Sequence, residues 1–193
     1  MSDRSFLFTW VRATWAGWVL GVPLIIVMAL IGEVMGIGGA QVLVGAGIGA
    51  GVGLLQGRAI QPILGRSGPW FWACVAGIST PFLGWDLAHA ARWPAPYSPY
   101  VALGLGGFLA GAWQAALLRD RFGNPAWWVA SSALGWTLAG GTAAIADWLT
   151  RSRSVRGIWG AGAYLAIVAL GGLVLGLITG TALVRNKRPG PAG

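Results

Sequence analysis

Three polar residues stand at matched places in otherwise apolar sequence. Gln56 closes the run Gly49-Ala-Gly-Val-Gly53-Leu-Leu-Gln56, and Gln114 closes Gly107-Phe-Leu-Ala-Gly111-Ala-Trp-Gln114. Thr179 closes the third, Gly172-Leu-Val-Leu-Gly176-Leu-Ile-Thr179. An amide or hydroxyl set among hydrocarbon needs a hydrogen-bond partner, because leaving it unpaired there is costly. Two chemistries fit. The three could form a polar ring that binds a ligand headgroup or narrows a pore. They could instead be interhelical bonds, each contributing about 0.6–2 kcal/mol. The change to threonine in the third copy favours the second, since a symmetric binding ring would keep three amides.

Other groups carry weaker chemistry. Glu33, Asp86 and Asp147 could jointly hold a cation or pass protons. They stand at unlike distances from Gly17, Gly77 and Gly135, however, so they read as helix-end residues at different depths. His89 is the sole histidine and could ligate the metal of a chlorophyll or haem; in its polar context it reads as a solvated side chain. Cys74 is the sole cysteine, which excludes an intramolecular disulfide and suggests a small packing residue. The segment Asp147-Trp-Leu-Thr-Arg151-Ser-Arg153-Ser-Val-Arg156 brings together arginines suited to anionic headgroups or an acidic partner. There is no His-Glu-x-x-His helix, no Gly-x-Ser-x-Gly elbow and no phosphate-binding Gly-x-x-x-x-Gly-Lys-Ser/Thr loop. No catalytic or metal-ligating residues are expected, and no enzyme.

The elements that position these residues follow from charge. The chain is 56% hydrophobic and 9% charged, against about 25% charged in soluble domains. Its ionic residues bracket charge-free stretches at 13–32, 34–57, 67–85, 93–118, 122–146 and 157–184. About 20 apolar residues cross a ~30 Å hydrocarbon core as a helix. Six spans are predicted, the third being marginal. The first is too long for a signal-peptide core and lacks a small-x-small cleavage site, so it is retained as a helix. The net charge of +8 does not indicate nucleic acid, because the cations sit at the ends of apolar segments rather than on one water-facing surface.

A repeat underlies the spans. Trp10, Val11, Gly17 and Trp18 match Trp128, Val129, Gly135 and Trp136 at identical spacing, and Trp70 and Gly77 match between them, with Ile78 in place of the second tryptophan. These open the odd-numbered helices, while the Gly-x-x-x-Gly runs lie in the even-numbered ones. Both motifs recur with a period of roughly 60 residues. The expected fold is an all-α integral membrane domain over 1–193, its six transmembrane helices forming three helical hairpins. The repeats span about 10–58, 70–119 and 128–185, followed by a basic tail, 186–193. Parallel repeats imply pseudo-threefold symmetry about the membrane normal. Gly49, Gly53, Gly107, Gly111, Gly172 and Gly176 would allow close helix packing. The even helices would then form the inner ring, with the tryptophan-bearing odd helices outside.

Most of the cations, Arg4, Arg12, Arg58, Arg66, Arg119, Arg121, Arg185, Lys187 and Arg188, fall on the side of the termini. Arg92, Arg151, Arg153 and Arg156 fall on the other. That bias predicts cytoplasmic termini in a bacterial inner membrane. Trp10, Trp70 and Trp128 would lie in the inner aromatic belt. Trp85, Trp93, Tyr97, Tyr100, Trp148 and Trp159 would lie in the outer one.

The pairing of Gly-x-x-x-Gly-x-x-Gln with Trp-x-x-x-x-x-x-Gly-Trp resembles a group of uncharacterised small bacterial polytopic membrane proteins with glycine- and tryptophan-rich hairpin repeats. The resemblance covers most of the chain and implies the fold without an activity. Three functions are compatible. One is a non-catalytic accessory subunit of a photosynthetic or respiratory membrane complex, cradling lipid, carotenoid or quinone. The others are a small-solute carrier, or substrate-binding transporter subunit, and a channel. The expected partners are membrane lipids and other membrane protein subunits, not nucleic acid.

Overall fold

A computed structural model describes residues 2–94, 98–151 and 157–186. The described residues form six helices and no strand: α1 (Asp3–Val34), α2 (Val42–Leu64), α3 (Gly68–Ala90), α4 (Pro99–Leu118), α5 (Pro125–Arg151) and α6 (Gly157–Arg185). Local signals set several ends. The Ser2 hydroxyl accepts from Ser5 N at the start of α1, and Ser98 does the same for Val101 N ahead of Pro99 in α4. Asn124 Oδ1 accepts from Ala126 N and Trp127 N, with Pro125 as the first residue of α5. These are side-chain caps joined to a proline whose missing N–H loses nothing in the first turn. Gly65 ends α2 with φ +76°, a left-handed conformation that glycine adopts without strain.

Five helices, α1, α2, α4, α5 and α6, are long and apolar enough to cross a membrane. α3 is not among them, its hydropathy lowered by Trp70, Trp72, Trp85, Pro69 and Pro81. The sequence had marked this segment as the marginal one.

Each helix packs on its neighbours in the chain, and α6 returns to pack on α1, so the helices close a ring. Neighbours run antiparallel. Gly17 lies against Gly51 and Val52, for example, while Gly21 lies against Ile48. The start of α1 and the end of α6 therefore share one end of the ring, here called proximal.

Inside the ring the side chains form two apolar layers. The proximal layer contains Phe6, Trp10, Ile60, Trp70, Leu118, Phe122, Trp128 and Leu183. The distal layer contains Trp18, Val52, Ile78, Phe82, Trp136 and Leu175. This arrangement corrects the expectation that the tryptophan helices wrap outside. Trp10 and Trp70 are 0% exposed and Trp128 is 3% exposed. Their ring centroids are 5.7, 6.2 and 5.6 Å apart, so three indoles from α1, α3 and α5 fill the proximal centre instead of a surface belt. One turn-pair deeper, Trp18 and Trp136 meet at 5.7 Å in the layer that also holds Ile78. Aromatic rings attract when edge meets face or when tilted, and each such pair adds about 0.5–1.5 kcal/mol beyond its area.

The even helices do not form an inner ring either; of their possible pairings only α2 with α4 touch. Their glycines face the next odd helix. A Cβ on Gly49 would lie 2.9 Å from Cys74 O, and one on Gly53 would lie 3.0 Å from Phe71 O, both in α3. Gly107 and Gly111 meet Trp136, Ser132 and Val129 of α5, and Gly172 and Gly176 meet Trp15, Trp18, Val11 and Thr14 of α1. The Gly-x-x-x-Gly runs thus seal one hairpin against the next, including the last against the first. The outer surface is strongly apolar: Ile26, Leu30, Leu105, Phe108, Leu134, Ile158, Leu165 and Leu177 are all exposed. Trp93, Trp148 and Trp159 are exposed too. Tyr97 lies outside the described residues.

Candidate functional site

The proximal indoles form the floor of a buried polar layer. Gln56, Gln114 and Thr179 are all buried, one on each even helix. Trp10 Nε1 donates to Thr179 Oγ1 at 3.0 Å. Trp70 Nε1 donates to Gln56 Oε1 at 3.2 Å. Gln56 Nε2 in turn donates to Thr14 Oγ1 at 3.0 Å, and Thr179 donates to Leu175 O at 2.6 Å. Thr179 thus accepts from an indole as Gln56 does, with a shorter side chain. Gln114 differs. Its Nε2 donates to Cys74 Sγ at 3.0 Å, and Trp128 Nε1 has no hydrogen-bond partner.

Cys74 is buried on α3 between Gln56 and Gln114. Its placement between two amides gives it a polar role that its sequence context did not suggest. Thr14 was likewise not singled out by sequence. Its offset of one turn from Trp10 on the same helix face was the available signal. No charged residue is buried among the described residues, and no three His, Cys, Asp or Glu side chains gather as a metal site. The layer can bond and orient helices. It holds no acid–base pair, and its one thiol bonds only to amides.

At the distal end the carboxylates separate into different tasks. Asp86 of α3 accepts from Gln41 N at 2.9 Å and Val42 N at 2.8 Å, capping α2 from a neighbouring helix. A carboxylate there satisfies otherwise orphaned N–H groups and complements the helix dipole. Asp147 accepts from Tyr100 Oη at 2.8 Å and Tyr164 Oη at 3.1 Å, tying α5 to α4 and α6. Glu33 is exposed near Gly38. His89 is exposed and stacks on Trp85 at 5.3 Å with an interplanar angle of 10°. Of the three arginines in the distal basic segment, Arg151 is exposed and lies 3.6 Å from Asp147. Arg153 and Arg156 lie outside the described residues.

Grooves on the surface include two beside α1. One, of about 420 Å³, runs between α1 and α6 and is lined by Trp15, Trp18, Val22, Pro23, Leu165 and Ala169. Trp18 Nε1 donates across its base to Val168 O at 2.8 Å. The other, between α1 and α2, carries Arg12 and Arg58.

Fold and site together define an all-helical protein whose centre is packed with aromatic side chains and whose outside is apolar. No protein-family model matches the chain, and neither does any curated protein or solved structure.

Proposed function

We propose that this chain is an integral membrane protein with a non-catalytic, accessory or structural role in a larger membrane assembly. In this reading all six helices cross the bilayer as three hairpins about a pseudo-threefold axis. Both termini face the cytoplasm of a bacterial inner membrane. The observation that carries the reading is the contrast between centre and surface. Trp10, Trp70 and Trp128 interlock where a solute would have to pass, while large apolar side chains point outward. In water so extensive an apolar exterior would drive aggregation; in hydrocarbon it is the ordinary solvent-facing surface. A channel through the centre finds little support, since conduction would require displacing three packed indoles.

The buried amides and hydroxyls support helix-to-helix bonding rather than turnover, and the groove between α1 and α6 suits a flat or chain-like apolar ligand such as lipid, carotenoid or quinone. The test is purification from the native membrane in a gentle detergent, followed by mass spectrometry of co-purifying proteins, lipids and pigments. Reproducible partner subunits are expected. Recovery as a lone, ligand-free monomer would sink the accessory role. Solute uptake into liposomes abolished by Gln114→Leu would replace it with the carrier reading.

A further inference from the structure

We infer that the groove between α1 and α2 binds an anionic phospholipid, with its phosphate held between Arg12 and Arg58. The inference rests on the membrane reading above and assigns one lipid to one place. The groove has a volume of about 300 Å³, within the size range of small-molecule sites. Besides the two arginines its lining is small and mostly apolar: Thr9, Ala13, Ala16, Leu55 and Ala59. The two guanidiniums are exposed, and neither has a carboxylate or hydrogen-bond partner among the described residues.

Position makes these two charges unusual. Both lie well inside their helices, more than a turn from Asp3 in α1 and from Leu64 in α2. A guanidinium on the lipid-facing side of a helix is costly unless it reaches a headgroup or pairs with an anion. Packing does not demand them. Superposing the repeat on Trp10, Trp70 and Trp128 puts Trp72 and Ala130 where Arg12 stands. Superposing on Gly53, Gly111 and Gly176 puts Ala116 and Thr181 where Arg58 stands. Only the first hairpin carries a cation at either place, and it carries one at both, on facing sides of a single groove. Planar guanidiniums match phosphate oxygens in a bidentate manner, and an acyl chain would follow the mostly apolar lining.

The test is native mass spectrometry of the full chain in detergent micelles, titrated separately with phosphatidylglycerol, phosphatidylcholine and inorganic phosphate. Wild type should retain one phosphatidylglycerol in preference to phosphatidylcholine, without competition from inorganic phosphate. Arg12→Gln or Arg58→Gln should weaken retention about fivefold, and the pair about thirtyfold, from the typical contribution of one interfacial arginine. Arg121→Gln, an exposed cation outside the groove, should change nothing. Near-ultraviolet circular dichroism of the packed tryptophans verifies folding of each variant. Equal retention of both lipids, or an unchanged affinity in the double variant, overturns the proposal. Competition by inorganic phosphate would make the groove a free-anion site and also overturn it. Extraction without detergent would sink the membrane reading itself, a separate outcome from losing lipid selectivity.

Discussion

The indole N–H of Trp10 donates to the hydroxyl of Thr179 at 3.0 Å, joining the first helix to the last across 169 residues of chain. Both groups are buried, so the bond closes the ring at its proximal layer. Thr179→Val keeps the side-chain shape and removes the acceptor. It should lower stability by about 1–3 kcal/mol, the cost of stranding a buried donor. Thr179→Ser should retain most of it. Denaturant titration in detergent micelles, followed by tryptophan fluorescence, measures both.

The repeat glycines should tolerate alanine unequally. A Cβ on Gly17 would lie 2.7 Å from Gly51 O and 2.8 Å from Val52 Cα, and one on Gly77 would lie 2.5 Å from Ala110 Cα. These are backbone atoms, so helices would have to move apart, at about 1–3 kcal/mol. On Gly135 the nearest atom is Leu175 Cδ1 at 3.0 Å, a side-chain tip that has to give only a few tenths of an ångström, and the nearest backbone atom is Leu175 Cα at 3.7 Å. Gly17→Ala and Gly77→Ala should therefore shift the unfolding midpoint clearly and Gly135→Ala little. The opposite ranking would show that the helices are not packed as described.

Tyr100 and Tyr164 bond to different oxygens of one carboxylate. Tyr100→Phe and Tyr164→Phe should each destabilise by about 0.5–1.5 kcal/mol. In an Asp147→Ala background neither should have a further effect. A double-mutant cycle reads this coupling directly, and additive losses would place the hydroxyls' partners elsewhere.

Asp86→Ala should weaken α2 at its start. Two backbone N–H groups lose their acceptor, a cap whose removal typically costs about 0.5–2 kcal/mol. Hydrogen exchange at residues 41–45 should accelerate while the proximal layer stays protected.

Asn186 accepts from Gly123 N and Asn124 N and donates to Asn124 O at 2.6 Å. It thereby clasps the α4–α5 connection to the end of α6. Asn186→Ala should raise cleavage of the 119–124 connection in limited proteolysis, with little change in global unfolding. Cleavage unchanged from wild type would mean that other contacts hold this connection.

The six helices were legible because a charge-free stretch is a direct consequence of helices whose outer faces are apolar. Their lengths were not. α1 runs back to Asp3 because Ser2 caps it and because Arg4 and Arg12 disturb no helical hydrogen bond, so the charge-free stretch beginning at Ala13 understates it. The centre was misread for a related reason. A tryptophan near the end of an apolar segment suits a surface belt as well as a core, and composition does not separate the two. Register does. Trp10, Trp70 and Trp128 keep a fixed spacing to Gly17, Gly77 and Gly135, a constraint that a loosely held belt residue does not need. The polar trio was visible by repetition, but its partners Thr14 and Cys74 lie on other helices, where the one local cue is their shared offset of one turn from Trp10 and Trp70.

The seam between α6 and α1 also has a consequence for biogenesis. Of the six described helices, α1 precedes all the others in the chain and packs on the one that follows them all. Until Gly172, Gly176 and Gly180 arrive, the face of α1 that bears Val11, Thr14 and Trp18 stays unsealed. The ring therefore cannot close before α6 is complete, however early the other five helices associate.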